Sequence, residues 1–239
     1  MQPAWRDTFL NWSCSEEFKG KQADSAGEIA RALGSSAQPY VSFSGGKDSL
    51  AMLDLVLQQS PEIMVLHWDF GPYKMPRPVL EEILAIPRSM GVTNLRVETS
   101  PQYEALGWKA TNVFEREFFG KLEPQLVAEG YDLAFVGIRA EESGRRRRRI
   151  AAGANSGRMR QCWPMARWTW RDVWAHIVSR DLPYLSVYDE RAALDGYEHA
   201  RVSAFFDKDL YACGVESVDN VLHWKWRNGP LSPGGRGGA

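Results

Sequence analysis

An α/β chain with an open, doubly wound and mainly parallel sheet is predicted by three observations. Short β-type apolar runs alternate with helical stretches from residue 40 to residue 136. The first of these runs passes directly into a glycine-rich turn and then a helix. The 239 residues carry ordinary apolar and charged fractions, enough for one sizeable core. In such a sheet helices cover both faces, and ligands sit at the carboxyl ends of the strands.

Residues 1–37 read as a polar, partly helical arm, with Trp5, Phe9 and Trp12 as an aromatic patch that docks on the main body and a helix over 25–33 stopped by Gly34. Residues 38–200 form the main α/β domain, which carries the glycine-rich turn. Within it, 40–43, 63–68, 95–98 and 133–136 are predicted strands, and 48–59, 78–90 and 112–129 are predicted helices, the last spanning Pro124. Residues 137–160 are polar without periodicity and read as a long loop. Thr169-Trp170-Arg171-Asp172 has the form of a helix start and opens residues 173–179. Residues 181–212 mix loop and helix, a helical extension is placed over 201–229, and residues 230–239 form a flexible tail rich in Gly and Pro.

The formal charge of −1 gives no global pull toward nucleic acid or an anionic membrane, so electrostatic specialisation is local, at the five arginines from Arg145 to Arg149. Cysteines at 14, 162 and 213, without a C-x-x-C pair, argue against a disulfide framework and against an iron–sulfur cluster. With no apolar run near the length of a membrane span and no leader-like N-terminus, the expected location is the cytoplasm. His67, His176, His199 and His223 lack metal-ligand spacing and read as structural.

Chemistry concentrates at Ser44-Gly45-Gly46-Lys47-Asp48-Ser49. A strand entering this loop and a helix leaving it offer one anion free backbone N–H groups, a helix N-terminus, two hydroxyls and a lysine. A Walker loop is excluded, because it would need Gly at Val41 and a hydroxyl at Asp48. The segment resembles the fingerprint Ser-Gly-Gly-x-Asp-Ser of the PP-loop (adenine nucleotide alpha-hydrolase) superfamily. The resemblance implies an adenine nucleotide as ligand: phosphoadenosine-phosphosulfate (PAPS), adenylyl sulfate or ATP.

Further segments resemble the PAPS reductase branch of that superfamily. His67-Trp68-Asp69-Phe70-Gly71 matches its strand-end Asp-x-Gly, and Gly137-Ile138-Arg139-Ala140-Glu141-Glu142-Ser143-Gly144-Arg145 matches Gly-x-Arg-x-x-Glu-Ser-x-x-Arg. The resemblance adds Asp69, Gly137, Arg139, Glu142 and Arg145 to the nucleotide site, with Arg139 reaching the phosphates and Glu142 orienting it. Trp163-Pro164-Met165 and Trp168 through Trp174 match the branch too, although the apolar residues at 170, 173, 174 and 177 read as core.

Two reactions are compatible with these residues. In sulfonucleotide reduction, Lys47, Asp48 and Arg139 act at the phosphate end, Cys213 takes the sulfonate, and a thioredoxin-like reductant resolves the adduct. In adenylation, ATP with Mg²⁺ on Asp48 and Asp69 would activate an acceptor for sulfur or amine transfer to tRNA, DNA or a metabolite. A non-catalytic nucleotide-binding module is the third reading. Ala212-Cys213-Gly214-Val215-Glu216 departs from the reductases' Glu-Cys-Gly-Leu/Ile-His, leaving no cation in the motif to lower the thiol pKa. Arg201 is a further candidate phosphate contact. The arginines from Arg145 to Arg149 read as a solvated loop, a clamp for distal phosphates or a contact to tRNA or DNA phosphates, and the resemblance brings a homodimer as the family's common assembly.

Overall fold

A computed structural model describes residues 1–71, 75, 77–106, 114–153 and 158–200. The chain enters through α1 (Pro3–Ser13) and α2 (Glu16–Gly34). The second is twice the expected length, because Ser15 caps it by accepting from the Phe18 N–H at 3.2 Å, with Glu16 and Glu17 in the first turn. The units that follow are β1 (Pro39–Ser42), α3 (Lys47–Leu57), β2 (Met64–Asp69), α4 (Arg77–Ser89), β3 (Leu95–Thr99) and α5 (Gln102–Leu106).

The helix expected over 112–129 is described from residue 114 and is broken into α6 (Phe114–Glu117), a π turn (Phe118–Leu122) and α7 (Glu123–Ala128). Pro124 falls in the first turn of α7, where its missing N–H costs nothing. After β4 (Leu133–Val136), the segment read as one long loop holds a 3₁₀ turn (Ala140–Glu142), α8 (Gly144–Ala151) and β5 (Arg160–Cys162). Ser143 caps α8 by accepting from the Arg146 N–H at 3.2 Å. Helices α9 (Trp170–Ser179) and α10 (Val187–His199) complete the described part. The capping box predicted for α9 is present, with the Asp172 carboxylate accepting from the Thr169 N–H at 2.7 Å.

The five strands are all parallel in the order β3-β2-β1-β4-β5. Alternation along each strand sorts the layers. Val41, Val65, Leu133 and Phe135 face a core built with α1, α2, α3, α4 and α9, whereas Tyr40, Met64, Leu66, Trp68 and Ala134 face a second core with Tyr103, Leu122 and Leu126. Helix α3 lies deep in the first core, with Leu50, Ala51, Met52 and Leu53 all 0 % exposed. The arm belongs to that core as well: Phe9 and Ile29 are fully buried, and Trp5 and Phe9 pack on Trp170, Trp174 and Tyr197. No helix among the described residues is long and apolar enough to cross a membrane.

Candidate functional site

Strand order reverses at β1, whose neighbours are β2 on one side and β4 on the other. The Ser42↔Val136 register sets the loops after β1 and β4 side by side at this switch point, where open α/β sheets bind ligands. Gly45 turns the first loop at φ +81°, and a Cβ there would lie 2.6 Å from the Ile83 side chain of α4, so glycine is required twice over. Ser49 Oγ accepts from the Ser44 N–H at 3.2 Å and donates to the Gly46 carbonyl at 2.9 Å, closing the loop onto the first turn of α3. The Lys47 N–H donates to the Tyr188 hydroxyl of α10 at 2.7 Å. The next amides of that turn, at Asp48 and Ser49, have no carbonyl to reach within the helix, the ordinary basis of anion binding there.

The second loop is pressed against the first. A Cβ on Gly137 would stand 2.8 Å from the Asp48 carbonyl oxygen and 3.0 Å from the Ser49 nitrogen. Two residues on, Arg139 is 3 % exposed, and its Nε donates to Asp48 Oδ1 at 2.5 Å while Nη1 donates to Glu141 Oε2 at 2.6 Å. Lys47, also 3 % exposed, reaches the other Asp48 oxygen at 3.2 Å. Lysine, aspartate, arginine and glutamate thus alternate in one chain of charges, with Lys47 and Arg139 buried and Glu141 exposed at its end. Burial alone would raise the Asp48 carboxyl; Lys47 and Arg139 outweigh it and hold the group below the usual carboxylate range.

Glu141, rather than the expected Glu142, therefore joins Asp48 in orienting the Arg139 guanidinium. Glu141 Oε2 also accepts from the Trp170 N–H at 2.6 Å, which ties the arginine to the start of α9. Glu142 takes a different part: it accepts from the Arg139 backbone N–H at 3.0 Å and pairs with Arg146. Tyr188 was also missed, since nothing in the spacing links residue 188 to residue 47. Arg145 lies exposed on α8. Cys213 and Arg201 lie outside the described residues; Cys14 is exposed, and burial pushes the Cys162 thiol up to about 12.

Asp69 ends β2 on the far side of β1. It accepts from the Gly71 N–H at 2.7 Å and from Arg77 Nη1 at 2.9 Å. Asp48 and Asp69, the expected Mg²⁺ ligands, are thus each paired with a basic side chain, and a metal ion would have to open those pairs. Among the described residues no group of three or more His, Cys, Asp or Glu converges. His67 is 0 % exposed, with Nδ1 lying 2.9 Å from the Phe43 carbonyl. That nitrogen donates, so Nε2 bears the lone pair, and it has no hydrogen-bond partner among the described residues. Burial holds the His67 pKa below its ordinary value.

Beside the loop, on the Trp68 face of the sheet, a cavity of about 220 Å³ is lined by Ser44, Trp68, Phe70, Phe118, Phe119 and Arg149, among others. The π turn supplies both phenylalanines. Trp68 is fixed within it, donating from Nε1 to the Tyr103 hydroxyl at 2.9 Å and packing edge-on to Phe118 at 5.4 Å. Arg149 lies 5.0 Å from the Trp163 ring centroid and donates to Gln161 Oε1 at 2.7 Å. The loop after β1 thus borders the buried Arg139 through Asp48 and the aromatic cavity through Ser44, at the carboxyl end of the sheet's central strand, an arrangement suited to a ligand with an anionic end and a flat ring.

The chain is similar to several known proteins. An adenosine 5′-phosphosulfate reductase of Lysinibacillus sphaericus is 25% identical over 220 residues, spanning 86% of this chain and 90% of the relative. Another, from a Geobacillus species, is 26% identical over 177 residues, spanning 70% and 74%. Among solved structures, phosphoadenylyl-sulfate (PAPS) reductase from Candida auris, as its phosphate complex, aligns with a TM-score of 0.49 at 16% identity, covering 74% of this chain and 92% of that one. The family model for the phosphoadenosine phosphosulfate reductase domain matches residues 38–203, and the chain belongs to that family.

Proposed function

We propose that this protein is a sulfonucleotide reductase-like enzyme that binds PAPS or adenylyl sulfate with its phosphosulfate on the loop from Ser44 to Ser49 and its adenine in the adjoining aromatic cavity. The observation that carries this reading is the meeting of the loop, Arg139 and the cavity at the switch point. Relatives named adenosine 5′-phosphosulfate reductase support the same substrate class. Lys47, the first-turn amides of α3 and Arg139 stabilise the charge that gathers on the nucleotide phosphate as it departs. The Cys213 thiolate attacks sulfur: an S–S bond forms, the S–O bond to phosphate breaks, and its electron pair leaves on the nucleotide. A thioredoxin-like dithiol then attacks the Cys213 sulfur, releases sulfite, and is itself oxidised to a disulfide as Cys213 returns to the thiol.

Calorimetric titration with PAPS, adenylyl sulfate, 3′,5′-bisphosphoadenosine and ATP plus Mg²⁺ tests the binding half. A sulfonucleotide is expected to bind most tightly, and Lys47→Ala to weaken it roughly 10- to 100-fold, as loss of a charge-assisted contact worth about 1.4–2.8 kcal/mol. Sulfite release driven by thioredoxin, abolished in Cys213→Ser, tests the chemistry. Preference for ATP with pyrophosphate release would replace reduction by adenylation of an acceptor. Tight binding without turnover would leave a nucleotide-binding module.

A further inference from the structure

The arginines of α8 divide into two sets. Arg149 turns inward to Gln161, Trp163 and the cavity, and Arg146 pairs with Glu142. Arg145, Arg147 and Arg148 are exposed, and none of their side chains has a hydrogen-bond or ion-pair partner among the described residues. The eight residues of this helix hold five cations and no carboxylate. Their placement works against the helix, because Arg145 and Arg146 stand in its first turn, where the macrodipole already favours negative charge. They also act on each other: burial first, then Arg146 and Arg145, hold the Arg149 pKa below its ordinary value.

Folding gains nothing from this crowding, and an external polyanion would relieve it. We propose that the exposed face of α8 docks the phosphodiester backbone of a nucleic acid. The choice of a phosphodiester chain follows from side-chain chemistry. All the cations are arginines, whose planar fork bonds a phosphate through two N–H groups. Arg145 and Arg148, three apart on the helix, stand side by side and reach neighbouring phosphates. This docking is independent of the reduction proposed above and draws only on exposed side chains that are not among those lining the cavity.

The test is fluorescence anisotropy of the whole protein with labelled RNA and DNA oligonucleotides of roughly 20 nucleotides, from about 50 to 200 mM salt. Wild-type protein is expected to bind, and Arg147→Ala/Arg148→Ala to bind at least roughly tenfold more weakly at the lowest salt. The slope of log affinity against log salt should become shallower by about 1.5, the share of two phosphate contacts. Arg147→Glu/Arg148→Glu should abolish binding, and both variants should keep the wild-type melting temperature and adenine-nucleotide affinity. Absence of binding by the wild type, an unchanged slope in the alanine variant, or equal competition by poly-glutamate would overturn the proposal. Loss of adenine-nucleotide affinity in a folded variant would overturn it too, by assigning the face to the cleft.

Discussion

Gly137 shows what a single residue contributes at the switch point. Its missing side chain lets β4 approach the backbone of α3, and a methyl group there meets main-chain atoms at 2.8–3.0 Å that cannot rotate away. Gly137→Ala is expected to cost about 2 kcal/mol, read as a lower urea midpoint. Gly46→Ala should cost much less, since its added carbon meets only Ser44 Oγ at 3.5 Å and the Tyr188 hydroxyl at 3.6 Å, and Gly46 has a φ of −73° that any residue adopts. The motif named Gly137, but the reason for glycine depends on β1 lying beside β4 and is invisible in one dimension. Glu141 and Glu142 show the same limit. Two adjacent acids follow Arg139, and only the 3₁₀ turn decides which faces the guanidinium and which takes the backbone N–H.

Among the elements, legibility followed the apolar pattern. Strands β1, β2 and β4 announce themselves because their side chains alternate between two cores. Helix α8 has a single isoleucine and no apolar stripe, so a serine cap and arginine's good helix propensity form it without any periodic signal. Strand β5, three residues long, is defined by its partner β4 rather than by its own sequence. Helix α9 is held to the arm by Asp172, whose carboxylate accepts from Trp12 Nε1 at 2.8 Å and Lys21 Nζ at 2.8 Å as well as from Thr169. Asp172→Ala takes this acceptor from the half-buried Trp12 and Thr169, leaves Lys21 with Glu17 alone, and loosens α1 and α2 together. A loss of about 3 kcal/mol is expected in chemical denaturation, with arm residues losing amide-exchange protection first.

At the scale of the whole molecule, acid stability follows from where the charges are buried. His67 is held below its ordinary 6.5, so the unfolded chain takes up its proton first, and stability should begin to fall as pH drops below about 6.5. Asp48, Asp54 and Asp172 are held below their ordinary 3.8: burial would raise each, and their basic and N–H partners outweigh it. Their stabilisation is whole above pH 4 and is withdrawn below it as the unfolded chain protonates first. Urea midpoints from pH 8 to pH 3 should show a shallow decline and then a steep one, and His67→Phe should remove only the shallow part; a flat profile between pH 6.5 and 4.5 would contradict the His67 assignment. The alternating chain of Lys47, Asp48, Arg139 and Glu141 has one more consequence, for selectivity. Two positive and two negative groups sum to zero, so a lone phosphate or sulfate ion drifting up to the loop finds its place already taken by carboxylates. On the binding proposed above, a molecule that also fills the aromatic cavity brings further contacts toward parting those pairs, so phosphate or sulfate alone should compete weakly with a sulfonucleotide in the calorimetric titration.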